Sequence, residues 1–214
     1  MQLSCINQME ITYKKNIINN NTYGITIDAN SHAINITDNN IMGNRNHGIQ
    51  INEKSTGFII NNNTITNNGE CGICINDVSH STIVTWNIIS NNVIGIKSYG
   101  FSDGNQFHQN SIIDNDLNAY DSSIDHWDNY VIGNYWSDYD GEDENEDGIG
   151  DTPYYISGGD NKDRYPLMKP WQPPSKPDKP LGKTNGKAGI EYEYKTSSVD
   201  QNGDRIKYGW DWGR

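Results

Sequence analysis

A period of 23–24 residues runs through the first half of this chain and is carried by several positions at once. Ile17, Ile41, Ile65, Ile89 and Ile112 are spaced by 24, 24, 24 and 23 residues. Asn20, Asn44, Asn68, Asn92 and Asn115 keep nearly the same steps, as do Gly24, Gly48, Gly72 and Gly95, each followed by isoleucine. A further file, Ile36, Ile60, Val84 and Phe107, is followed three residues on by Asn39, Asn63, Asn87 and Asn110. Self-similarity of this kind marks a solenoid, in which each repeat buries its apolar positions against its neighbours.

The repeat is written in strand language. Runs such as Ile25-Thr26-Ile27 and Ile49-Gln50-Ile51 alternate with a period of two, and no window sustains helical spacing. Asn, Gly, Ser and Asp separate the runs and tolerate the conformations of tight corners. The expected fold is all-β: a right-handed parallel β-helix of about five coils over residues 1–121. Stacked strands lie about 4.8 Å apart, so each file becomes a column of touching side chains. The isoleucine file of 17, 41, 65, 89 and 112 is expected inside the bore, and asparagine amides are expected to bond along the stack at the corners. Subtracting one period from Ile25 and Ile27 puts Met1 and Leu3 on a strand of an earlier coil, so the natural protein is expected to extend N-terminally.

A solenoid needs a terminus that offers no open strand edge. Residues 122–169, rich in Trp and Tyr, are the expected cap, their aromatics closing the bore. Residues 170–185 turn to Pro, Lys and Gly and read as a linker. From 186 to 214, two alternating runs (189–194 and 206–212) flank an Asp-Gln-Asn-Gly-Asp turn, the start of a truncated β-sandwich domain.

A net charge of −12 argues against a nucleic-acid partner, and no apolar run approaches the length of a membrane span. No signal peptide stands at the start, and the three sequons at Asn20, Asn35 and Asn62 suit an exported protein. Cys71 and Cys74 form a C-x-x-C, but Cys74 alternates with Ile73 and Ile75 and so points outward from a strand; the pair reads as structural.

Two places carry candidate chemistry. Residues 143–151 set Asp143, Asn145, Asp147 and Asp151 at positions 1, 3, 5 and 9 of a calcium-type loop, with Gly148 at the turn and the Ile149 carbonyl at position 7. Tyr154 takes the place of the closing glutamate, so a structural Ca2+ site in the cap is expected rather than an EF-hand. Glu53 and Asp77 are one period apart, hence stacked, and are weak candidates for a retaining glycosidase pair. Their file continues as Ala29 and then Gly100 or Phe101, so no wider catalytic cluster is expected. His32 and His80 share a file two coils apart with Thr56 between, too far for one metal.

The run G-N-Y-W-S-D-Y-D-G at 133–141, the acidic loop leading to Asp151-Thr152-Pro153-Tyr154, and Asp163-Arg164-Tyr165-Pro166-Leu167 resemble the C-terminal part of NosD-type β-helix proteins. Residues 176–214 resemble the first strands of PKD-type Ig-like domains. The resemblance implies an archaeal-type extracellular or cell-surface protein of a group described as carbohydrate-binding and sugar-hydrolysing. The functions to be weighed are a non-catalytic module binding glycan or partner proteins, a polysaccharide-active hydrolase or lyase, and NosD-like copper delivery. Copper is disfavoured at this point, because Met9, Met42, Cys5, Cys71 and Cys74 share no file.

Overall fold

The computed structural model describes residues 3–6, 10–171, 175, 177–187, 189–199 and 208. Up to residue 171 the chain is a parallel β-solenoid of three sheets, and six turns are formed rather than five. The first sheet stacks Leu3–Ile6, Ile25–Asp28, Ile49–Ile51, Cys71–Ile75, Ile94–Ser98 and Leu117–Asp121, all parallel. The second runs from Thr12–Lys14 to Gln106–His108, and the third from Ile17–Asn19 to Tyr135–Trp136. Ile25, Ile49, Ile73 and Ile96 pair in one row and are fully buried, as are Ile36, Ile60, Val84 and Phe107 in another.

One position of the expected core is corrected. Ile41, Ile65, Ile89 and Ile112 are fully buried, but Ile17 is 71% exposed and Ile18 takes its place opposite Ile41. The first step is therefore 23 residues, and Asn21 rather than Asn20 enters the corner file. Asn20 instead occupies the left-handed region (φ 55°), where a short polar side chain is tolerated. At the N-terminal edge Leu3 pairs with Ile25, a step of 22 rather than 24, and Met1 lies outside the described residues. The glycine file has a packing cause: a Cβ on Gly72 would lie 2.7 Å from the Gly95 carbonyl oxygen and 2.7 Å from Ile89.

The corners hold polarised ladders. In the longest, Asn16, Asn39, Asn63, Asn87, Asn110 and Asn134 each donate a backbone N–H and a side-chain N–H to the next side-chain oxygen up the stack, at 2.6–3.3 Å, ending on the Asp163 carboxylate. A second runs from Asn21 through Asn44, Asn68, Asn92, Asn115 and Asn118 to Asp138. A third passes from Ser31 through Ser55, Ser79, Ser102 and Ser123 to Asp121, and a fourth from Thr82 through Asn105 to Asp125. All four end on a carboxylate. An asparagine rung accepts from below and must donate above, whereas the final rung has no further coil to donate to, and an acceptor-only group fits there.

The cap closes the bore with a stack of rings. Phe107 lies on Trp127 (4.3 Å between centroids), Trp127 meets Trp136, and Trp136 stacks on Tyr154 at 4.1 Å. The indole N–H groups of Trp127 and Trp136 donate to Asp121 and Asp163, two of the terminal carboxylates. Arg164 pairs with the buried Asp128 through two nitrogens.

Burial pushes Asp125 up to about 7 and Asp163 up to about 6. A raised folded-state pKa means that the folded chain holds the proton more tightly than the unfolded one, so these groups favour folding most at low pH. That advantage is lost as pH rises through roughly 4 to 7. The melting temperature is therefore expected to fall between pH 5 and pH 8, and Asp125→Asn, which keeps the acceptor for Asn105, is expected to flatten the fall. Parallel curves for the two proteins would assign the dependence elsewhere.

The second unit begins at residue 172. Its described residues pair in antiparallel fashion, with Ser175, Asp178 and Leu181 donating to Val199, Ser197 and Lys195. The alternating run expected at 206–212 lies outside the described residues except for Tyr208.

Candidate metal centre

The outer face of the first sheet carries a cluster that does not belong to the core. Ile73 and Ile75 point into the bore, so Cys74 between them points away from it. Yet Cys74 is 1% and Cys71 3% exposed, because side chains of adjacent coils cover them. Gln50 and Lys97 flank Cys74 in register, and Tyr120 lies beside Lys97. His47 sits one coil before Cys71, and the ligand atoms of His47, Cys71 and Cys74 all lie within 4.8 Å of one another. Both cysteines are free thiols.

The imidazole is oriented from both sides. Its Nδ1 accepts the Cys71 backbone N–H at 3.2 Å, and its Nε2 lies 3.2 Å from the Glu70 carboxylate. A carboxylate on Nε2 holds the proton there and turns the Nδ1 lone pair to the cysteine side, where it takes the Cys71 N–H that a bound metal would replace. The Tyr23 ring packs at 5.8 Å against the imidazole. The two thiols are driven apart in acidity. Cys71 is pushed up, chiefly by its hydrogen bond to Cys74 and then by burial. The same hydrogen bond draws Cys74 down, supported by the charge of Lys97 and the Tyr99 hydroxyl against the cost of burial. Two sulfurs and one imidazole nitrogen are a soft donor set, suited to Cu(I) or zinc and ill suited to calcium or magnesium.

His47 is the residue that a search confined to cysteine and methionine files passes over. The signal is present: His47 and Cys71 are 24 residues apart, one period, and Cys74 is three further on. Alternation alone puts Cys71 on the same side as Ile73. Close packing of the backbone at Gly72 interrupts that alternation and brings both thiols together on one face.

The other candidate residues fall as follows. Glu53 and Asp77 stack at a corner, both exposed and both with left-handed φ (55° and 53°). His32, Thr56 and His80 form one bridged row. In the acidic loop, the Asp143 carboxylate accepts the N–H groups of Asp147 and Gly148, and Asp151 accepts that of Glu144. Asn145 accepts from Asp147, and Asp147 from Ile149, while Gly148 turns the chain at φ +87°. Beside this loop a cleft of about 430 Å³ is lined by Tyr130, Asp147, Ile149, Arg164 and Tyr165, among others.

Fold and site together define a β-solenoid scaffold carrying a two-thiol, one-imidazole centre on an outer sheet. The family model described as "Periplasmic copper-binding protein (NosD)" matches residues 3–141, well over half of the chain, and the chain belongs to that family. Family and fold are those of an extracellular or periplasmic module. No curated protein and no solved structure matches the chain. Among the described residues no helix is long and apolar enough to cross a membrane.

Proposed function

We propose that this module binds copper as Cu(I), in the periplasm or outside the cell, through His47, Cys71 and Cys74. The observation that carries the reading is the approach of these three ligand atoms to within 4.8 Å of one another on one sheet face. The family description, which names copper, supports it. The donor set matches the ion's softness, and Glu70 supplies the outer carboxylate that orients the imidazole. Anaerobic titration with Cu(I) against a chromophoric chelator is expected to give one ion per chain. Cys71→Ser and Cys74→Ser are expected to weaken binding by more than about 100-fold, and Glu70→Gln by roughly 10- to 100-fold. Equal affinity in the wild-type protein and the serine variants would overturn the reading.

A second reading rests on the cap. The cleft beside Tyr130, Arg164 and Tyr165 supports binding of glycan or a partner protein, since tyrosine faces stack on sugar rings and Arg164 lies 4.6 Å from the Tyr130 ring centroid. Asp147, Ile149 and Asp151 belong both to this cleft and to the calcium-type loop. Ca2+ held by Asp143, Asn145, Asp147, the Ile149 carbonyl and Asp151 therefore accompanies the reading as a structural ion. Calcium added to chelator-treated protein is expected to raise the melting temperature by mass action. Asp147→Ala is expected to abolish the rise, and an unchanged curve across millimolar calcium would remove the ion from the cap.

A further inference from the structure

We infer that Lys97 is the residue that fits the His47, Cys71 and Cys74 centre to a monovalent ion and against a divalent one. The inference rests on the metal-binding reading of that centre. Lys97 pairs in register with Cys74 on the neighbouring strand. Its ammonium is held over the outer face of the sheet by two rings, 4.6 Å from the centroid of Tyr99 and 5.5 Å from that of Tyr120. None of the ion pairs among the described residues involves Lys97, so no carboxylate at contact distance neutralises its charge.

The selection follows from charge. The ammonium favours the two thiolates before any ion arrives, and it does so equally for every metal that needs them deprotonated. It then repels the bound ion in proportion to that ion's charge, so a divalent ion meets twice the repulsion of a monovalent one. The difference disfavours Zn(II) relative to Cu(I). Glu70, the carboxylate on the far side of His47, has a side chain 54% exposed and is screened by solvent. It is unchanged when Lys97 is altered, so it cancels from the comparison. Donor number acts in the same sense. Among the described residues three protein ligands converge here, enough for trigonal Cu(I), whereas a closed zinc site takes four.

The test measures Cu(I) and Zn(II) affinities, each by chelator competition without oxygen, on the whole chain. Four proteins are compared: the wild type, Lys97→Leu, Lys97→Arg and the Cys71→Ser/Cys74→Ser double variant. Lys97→Leu, which removes the charge without adding a metal ligand, is expected to raise the Zn(II)-to-Cu(I) affinity ratio about tenfold or more, by the charge-proportional repulsion argued above. Lys97→Arg keeps the charge and is expected to leave the ratio within about threefold of wild type, a contrast that a purely structural role for the side chain would not produce. If metal binds in a cysteine-dependent way but the ratio is the same in Lys97→Leu, the role of Lys97 is overturned and the metal centre stands. If neither ion shows cysteine-dependent binding, the centre itself is overturned, and this inference with it.

Discussion

Replacing Asn87 with alanine is expected to cost about 3–5 kcal/mol of folding stability, from one buried N–H left unpaired at about 1–3 kcal/mol and further buried bonds lost at about 0.5–1.5 kcal/mol each. Asn87 is fully buried in the middle of the longest ladder. Its amide nitrogen donates to the carbonyl oxygens of Ile60 and Thr85 and to Asn110, and its Oδ1 accepts two N–H groups of Asn63. Alanine leaves the Asn63 backbone N–H without its acceptor and takes one bond each from the Ile60 and Thr85 carbonyls and from Asn110. The loss is a large fraction of the roughly 5–15 kcal/mol by which domains are stable. Asn87→Asp sharpens the test. It preserves the acceptor for Asn63 but turns a carboxylate oxygen toward the Ile60 and Thr85 carbonyls, so it is expected to be at least as damaging despite its matching shape. Denaturant unfolding measures both variants, and a cost below about 1 kcal/mol for Asn87→Ala would remove the ladder from the account of stability.

At the other end of the same ladder, Asp163→Ala is expected to cost a similar amount, about 3–5 kcal/mol, and to open the cap first. Asp163 is fully buried and accepts the backbone N–H groups of Asn134 and Tyr165 and the indole N–H of Trp136. It joins the last asparagine, the ring stack and the 162–165 segment at one carboxylate. Gly133 packs so closely on it that an added Cβ would lie 1.7 Å from Oδ1. Asp163→Asn retains one oxygen and can serve Asn134 and Trp136, leaving its amide nitrogen opposed to the Tyr165 N–H, so its cost is expected to be about 1–3 kcal/mol. Tryptophan fluorescence reports the outcome, because Trp136 is 1% exposed and loses both its partner and its shelter when the cap opens. Fluorescence unchanged in Asp163→Ala up to global unfolding would mean that the cap does not depend on this residue.

Much of this architecture is legible in the residues because a solenoid repeats its contacts at one sequence distance. Ile36, Ile60, Val84 and Phe107 stack as their spacing indicates, and so do Asn39, Asn63, Asn87 and Asn110. His47 and Cys71 also obey the period, so two of the three ligands of the metal centre were available to a reading that allowed unlike ligands on neighbouring coils. Where two isoleucines adjoin, periodicity is blind. Ile17 and Ile18 differ by one residue, and only the corner geometry at Asn20 and Asn21 decides which one enters the bore.

What only the tertiary structure decided lies where contacts leave the period. Asp163 follows Asn134 by 29 residues, Asp125 follows Asn105 by 20, and Asp138 follows Asn118 by 20. The chain between such partners is an irregular cap, so no fixed spacing marks them as the acceptors that end the ladders. Cys71 joins Cys74 on the outer face because the close-packed glycine between them breaks the alternation of their strand, and strand alternation predicts the opposite. Local sequence determined the coils, because every inward side chain meets its own equivalent one turn away. The terminal carboxylates were set by packing between segments that share no repeat, and the meeting of the two thiols by a break in alternation within one strand.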